Sequence, residues 1–141
     1  MRIMAIDYGD AHTGIAISDP TGLLACFTTV INAYRPDRVT EQIALLAKEH
    51  GVERLVLGHP INMDGTRGPR SEKAQAMRQL LEETTGLPVV LWDERRTTID
   101  AHQILMSSGK NAKKRKKVVD AVAASLILEG YLTYLKTHPE G

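Results

Sequence analysis

Two hydrophobic signatures alternate along the chain. "RIMAID" (2–7) and "GIAISD" (14–19) are short apolar runs that each end on a carboxylate, and they read as buried strands joined by a turn from Gly9 to Thr13. A weaker run, "CFTTVI" (26–31), follows the turn at Pro20 and Gly22. Strands this closely spaced predict an antiparallel meander. From Pro36 the pattern changes: Val39, Ile43, Leu46 and Ala47 recur at helical spacing until Gly51. "RLVLG" (54–58) is a continuous apolar strand of the kind buried on both faces of a parallel sheet. After the loop "HPINMDGTRGPR" the spacing predicts a helix over 71–85, stopped by Gly86 and Pro88, then the strand "PVVLWDE" (88–94). A helix is expected over 97–108, with Thr97 and Asp100 in the arrangement of a capping box.

"GKNAKKRKK" (109–117) is too charged to pack and is read as a mobile basic segment. A last helix is expected over about 118–136, with Val119, Val122 and Leu126 on one strip and Ala123, Ile127 and Tyr131 on the next. The order β-β-β-α-β-α-β-α-α predicts an α/β fold. Strand–helix–strand links force parallel pairing of the first, fourth and fifth strands, while strands 1 to 3 pair antiparallel. The result is a mixed five-stranded sheet with helices on both faces, in a single domain over residues 1–141.

With 43% hydrophobic and 25% charged residues, neither disorder nor a fibrous repeat is indicated. The apolar runs fall far short of a membrane span, and Asp7, Asp10 and Asp19 interrupt any secretory signal, so a cytoplasmic protein with no membrane partner is expected. The single cysteine, Cys26, excludes an internal disulfide and a thiolate zinc cage, and is read as a small core residue. Net charge is +1 but unevenly spread: residues 1–108 carry 11 Lys/Arg against 14 Asp/Glu, and residues 109–141 carry 7 against 3.

Ligands of open α/β sheets collect beyond the carboxyl ends of the parallel strands. Asp7 lies at that end of the first strand, Asp93 and Glu94 at that end of the fifth, and His59 leaves the fourth there. Asp120 sits in the first turn of the last helix, and Ala123, Ala124 and Ile127 share its face, so small residues let that helix approach the sheet. Gathered carboxylates repel one another unless a cation compensates, and hard oxygen ligands suit magnesium or manganese. Such ions activate water for displacement at phosphorus. Singly, each acid is better explained by a turn, a surface pair or a helix dipole. Three independent elements delivering acids to one edge favour the metal reading. His59 suits a proton shuttle or a metal contact, or else an ordinary loop histidine.

"DYG" (7–9) with "GIAISD" (14–19), "LGHPINMDGTRGPR" (57–70), "DERRTT" (93–98) and "KKRKKVVDAVAASLIL" (113–128) together resemble the YqgF family over almost the whole chain. These are ribonuclease H-like proteins regarded as nucleases that mature the 5′ end of pre-16S rRNA, and also called Holliday junction resolvases. The resemblance implies a ribonuclease H-like fold and a phosphodiesterase site dependent on Mg2+ or Mn2+. Its three acids, catalytic and metal-binding, fall on Asp7, Glu94 and Asp120. The chain departs from the family pattern at Ala11 and His12, where a basic pair is usual, and at His59, where an apolar residue is usual.

A basic run is usually a solvated face, but Lys113, Lys114, Arg115, Lys116 and Lys117 stand directly before the helix of Asp120, a position suited to backbone phosphates. In "DGTRGPR", Arg67 and Arg70 stand at the entrance to a helix whose amides suit a phosphate. Trp92 and Tyr8 are the only aromatics expected near the site. The partner implied is RNA, pre-16S rRNA or a pre-ribosomal particle, with branched DNA as the alternative, and the protein is a monomer or homodimer. A junction resolvase needs two active sites and hence a dimer. The opening hairpin also resembles that of actin-like and sugar-kinase ATPases, which close two such domains over ATP. A non-catalytic ribosome-assembly factor would use the basic stretch alone.

Overall fold

In a computed structural model, residues 1–21, 25–59, 68–93 and 112–138 are described, with 112–120 as backbone only. Three strands open the chain, β1 (Ile3–Asp7), β2 (His12–Ser18) and β3 (Ala25–Asn32). Helix α1 (Pro36–His50), strand β4 (Arg54–His59), helix α2 (Pro69–Thr85), strand β5 (Val89–Asp93) and helix α3 (Ala112–Thr137) follow. The strands form one sheet in the order β3-β2-β1-β4-β5. The expected meander is present, with Asp7 opposite Gly14 and His12 opposite Asn32. β1, β4 and β5 run parallel, Ile6 beside Leu57 and His59 beside Asp93. The helix expected over 97–108 lies outside the described residues.

Proline and glycine set the ends of the first two helices. Each has Pro in its first turn, where no amide partner is lost, and each stops at a left-handed glycine, Gly51 at φ 66° and Gly86 at φ 70°. The Gly86 amide donates to the Glu82 carbonyl at 3.0 Å.

Strand alternation divides the core into two layers. Met4, Ile6, Ile15, Ile17, Leu55 and Leu57 face α1 and α2, where Val39, Ile43, Met77 and Leu81 complete a buried cluster. Ile3, Ala5, Ala16, Val56 and Trp92 face α3 and meet Ala124, Ile127, Leu128, Tyr131 and Leu132. Small residues on both sides of this second layer let the helix lie close. Gly130 extends that approach, since a Cβ there would stand 3.2 Å from the Trp92 indole. The indole meets Tyr131 and Tyr134 edge-on, both at 5.8 Å between centroids. Such contacts add about 1 kcal/mol each beyond burial.

Three expectations are corrected. α3 begins at Ala112, so residues 112–117 form its first turns instead of preceding it; Lys and Arg are good helix formers, which the reading of their charge alone ignored. The buried stripe of α3 is the 124/127/128/131/132 set, whereas Leu126 is only half-buried. Cys26 is exposed, because β3 is an edge strand and its alternate positions turn outward. No helix among the described residues is long and apolar enough to cross a membrane.

Candidate active site at the carboxyl edge of the sheet

Asp7 ends β1, one residue past the Ile6–Leu57 pair, and alternation sets it on the face of Ile3 and Ala5, beneath α3. The direction of α3 is fixed at its far end. Arg54, which starts β4, donates from Nη1 to the Tyr131 hydroxyl at 2.8 Å. Ala124 and Ile127 then lie toward the opposite edge, so α3 runs antiparallel to β1. At 1.5 Å per residue, roughly 16 Å of axis separate Asp120 from Tyr131. β1 spans roughly 13 Å from Ile3 to Asp7. The backbone of Asp120 therefore arrives level with the strand tips, on the face that Asp7 occupies.

Glu94 lies outside the described residues, following directly on Asp93, the last residue of β5. Among the described residues no three His, Cys, Asp or Glu side chains converge; two of the three acids contribute none to that set. The donor chemistry is uniform all the same: carboxylates, hard oxygen donors of the kind Mg2+ and Mn2+ take.

His59 is turned away from this group. It shares a face with Leu55 and Leu57, is buried, and pairs through Nε2 with the Ser71 Oγ at 2.6 Å, tying the end of β4 to the first turn of α2. Gln75 Nε2 also donates to that Oγ, at 3.3 Å. It is therefore not the ordinary loop histidine expected as the plainer reading, but a buried strand-end residue tied to α2 on the sheet face opposite Asp7.

Arg67 is outside the described residues; Arg70 is exposed in the first turn of α2. Together with Lys73 it lines a cleft of about 110 Å³ whose other walls include Tyr8, Gly9, Asp10 and Gly58. Gly9 is needed here because a Cβ would collide with the His12 carbonyl oxygen across the β1–β2 turn. Lys73 Nζ pairs with Asp10 Oδ1 at 3.0 Å, with side chains 58% and 84% exposed, so the pair is weak and open to exchange. Burial pushes the Tyr8 phenol above its ordinary value of 10.0, and the Asp10 carboxylate adds to this while Lys73 opposes it. The hydroxyl therefore stays protonated and able to donate at neutral pH.

One aromatic near the edge was missed. Tyr34, just past β3, is 81% exposed and lines a groove of about 440 Å³ with Tyr8, Asp10, Lys73, Met77 and Leu80. Its sequence neighbourhood, a loop before Pro36, carries no signal of a site; only the pairing of β3 with β2 brings it to this edge. Trp92, by contrast, is core. Lys113 to Lys117 occupy the first turns of α3, at the same edge as Asp7 but on the other sheet face from Arg70.

Comparison with known proteins bears directly on this arrangement. The family described as RuvX, Holliday junction resolvase, matches residues 1–134. A Halothermothrix orenii protein named "Putative pre-16S rRNA nuclease" is 45% identical over 134 residues, covering 95% of this chain and 96% of its own. A Bacillus licheniformis protein of the same name is 43% identical over 139 residues, covering 97% and 100%. Among solved structures, T. thermophilus RuvC in complex with a Holliday junction substrate superposes with a TM-score of 0.63 at 16% identity, over 95% of this chain and 96% of that one. At that identity the likeness establishes the fold, which is RuvC-like and of the ribonuclease H type. The match over nearly the full length, at more than 40% identity to these relatives, means that the chain belongs to the RuvX/YqgF family.

Proposed function

We propose that this protein is a cytoplasmic, metal-dependent nuclease that cuts phosphodiester bonds in maturing the 5′ end of pre-16S rRNA, free or in a pre-ribosomal particle. The observation that carries the reading is the approach of the first turns of α3 to the Asp7 end of β1, within a chain whose relatives bear that name. Asp7, Glu94 and Asp120 would hold Mg2+ or Mn2+. When bound, such ions lower the pKa of a water and stabilise charge at phosphorus. This chain's own part is to keep the Asp7 carboxylate at the strand tip under the helix. Lys113, Lys114, Arg115, Lys116, Lys117, Arg67 and Arg70 hold substrate phosphates on the two sides of that tip.

A second reading, resolution of four-way DNA junctions, is favoured by the family description. It requires two copies of the site and hence a homodimer, whereas RNA cleavage is open to a monomer.

The test is cleavage of a 5′-extended pre-16S rRNA fragment with Mg2+ or Mn2+, beside a four-way DNA junction. RNA cutting that needs metal and falls about a thousandfold or more in Asp7→Asn, a loss of the size seen when a key electrostatic group is removed, is the expected outcome. Junction cutting without RNA cutting would favour the resolvase. Binding of RNA without any cutting would point to an assembly factor.

A further inference from the structure

We propose that the two adjoining clefts on the α1/α2 side of the β1 tip form a subsite for one unpaired nucleotide of the substrate, its base against Tyr34 and its phosphate on Arg70 and Lys73. The proposal rests on the nucleic-acid reading above and adds to it the strandedness of the substrate at this point.

Tyr34 is the most exposed of the three large hydrophobic side chains that stand out from the described surface, at 81% against 60% for Leu45 and 52% for Met1. It is also the one of the three at the carboxyl edge, since β3 ends where Asn32 pairs with His12. The groove beside it has an apolar floor of Met77 and Leu80 and a polar rim of Asp10 and Lys73. A flat apolar face above an apolar floor suits a base, and a base face is free to stack on an aromatic only where the strand is unpaired.

The smaller cleft shares Tyr8, Asp10 and Lys73 with this groove as common walls. Two of its lining residues are glycines, Gly9 and Gly58, whose missing side chains leave room for a sugar-phosphate backbone to come close. Arg70 and Lys73 give its lining two cations, the charge that an anionic diester takes. Asp10 is the one acid among the described lining residues, and its ion pair with Lys73 is solvent-exposed, so an incoming phosphate competes with it for the ammonium. Tyr8 directly follows Asp7, so the subsite lies beside the candidate catalytic acid while that acid faces the other side of the sheet. The bound strand thus crosses the edge of the sheet at β1.

Binding of labelled short single-stranded RNA, its DNA counterpart and an RNA duplex of the same sequence, followed by anisotropy in EDTA across salt concentrations, tests this. Tyr34→Ala is expected to weaken single-strand binding roughly tenfold while leaving duplex binding and Tm unchanged, and Tyr34→Phe to restore it. Lys73→Ala should lower the salt slope for single strands by about 0.7, and Asp10→Asn should tighten binding. The RNA and DNA arms rank the sugar. Unchanged single-strand affinity in Tyr34→Ala, an equal loss on the duplex, or failure of Phe to rescue overturns the subsite. If the wild-type protein binds no oligonucleotide, the nuclease reading falls with it. Tyr34-dependent binding by a protein that cuts nothing upholds the subsite and removes the nuclease.

Discussion

At the scale of single residues, the site depends on an atom that is missing. Gly9 follows Asp7 by two positions, and any Cβ there must push the His12 carbonyl and with it the turn that carries the strand tip. Gly9→Ala is expected to cost about 1–3 kcal/mol of stability, as overpacking does, and to slow cleavage about a hundredfold through displacement of Asp7. Thermal melts and single-turnover cleavage check both, and a protein with lowered Tm but unchanged cleavage would separate the turn from the site. The placement of Asp7 at a strand tip and of Arg70 at a helix entrance was legible in sequence because both follow local rules. Tyr34 was not, since its position at the edge comes from β3 pairing, a long-range fact. The orientation of His59 was not either: naming it the end of a strand left open which of two faces it takes.

At the scale of elements, α3 carries a conflict in its own sequence. Its first turns hold Lys113, Lys114, Arg115, Lys116 and Lys117 and no acid in the first turn, where the helix dipole favours negative charge. Phosphate would relieve both the dipole and the mutual repulsion. Replacing these five by Gln, a comparable helix former, is expected to stabilise the free protein slightly, by about 1 kcal/mol, while weakening RNA binding and flattening its salt dependence. Calorimetry and salt-dependent binding read the two effects separately; a steep slope retained in the variant would remove these residues from the interface. Five strands and three helices were readable from apolar runs and their punctuation by Pro36, Gly51 and Gly86. The start of α3 was not, because a charge run has no hydrophobic period whether it is helical or not.

For the whole molecule, the arrangement is a sheet with α1 and α2 on one face and α3 as the helix described on the other. The strand order follows from two general rules, hairpins pairing antiparallel and helical crossovers pairing parallel, which is why the topology could be read before any coordinates. How the three described helices divide between the faces could not, since crossovers leave room for several arrangements. A chain ending at residue 111 would lose the α3 side chains that pack on Ile3, Ala5, Ala16, Val56 and Trp92. Such a truncation is expected to lose its cooperative melting transition, bind a hydrophobic dye and aggregate; a monomeric protein with a sharp transition would mean that α3 contributes little to this layer. The antiparallel return of α3 across that face also has a consequence during synthesis. Strand tip and helix start meet in space but lie more than a hundred positions apart in the order of translation. A ribosome adding about 5–20 residues per second therefore exposes β1 for several seconds before α3 exists to cover it. For that interval the growing polypeptide presents the tip of β1 with no helix to close over it, and the two halves of the candidate site come together only once the last helix has been made.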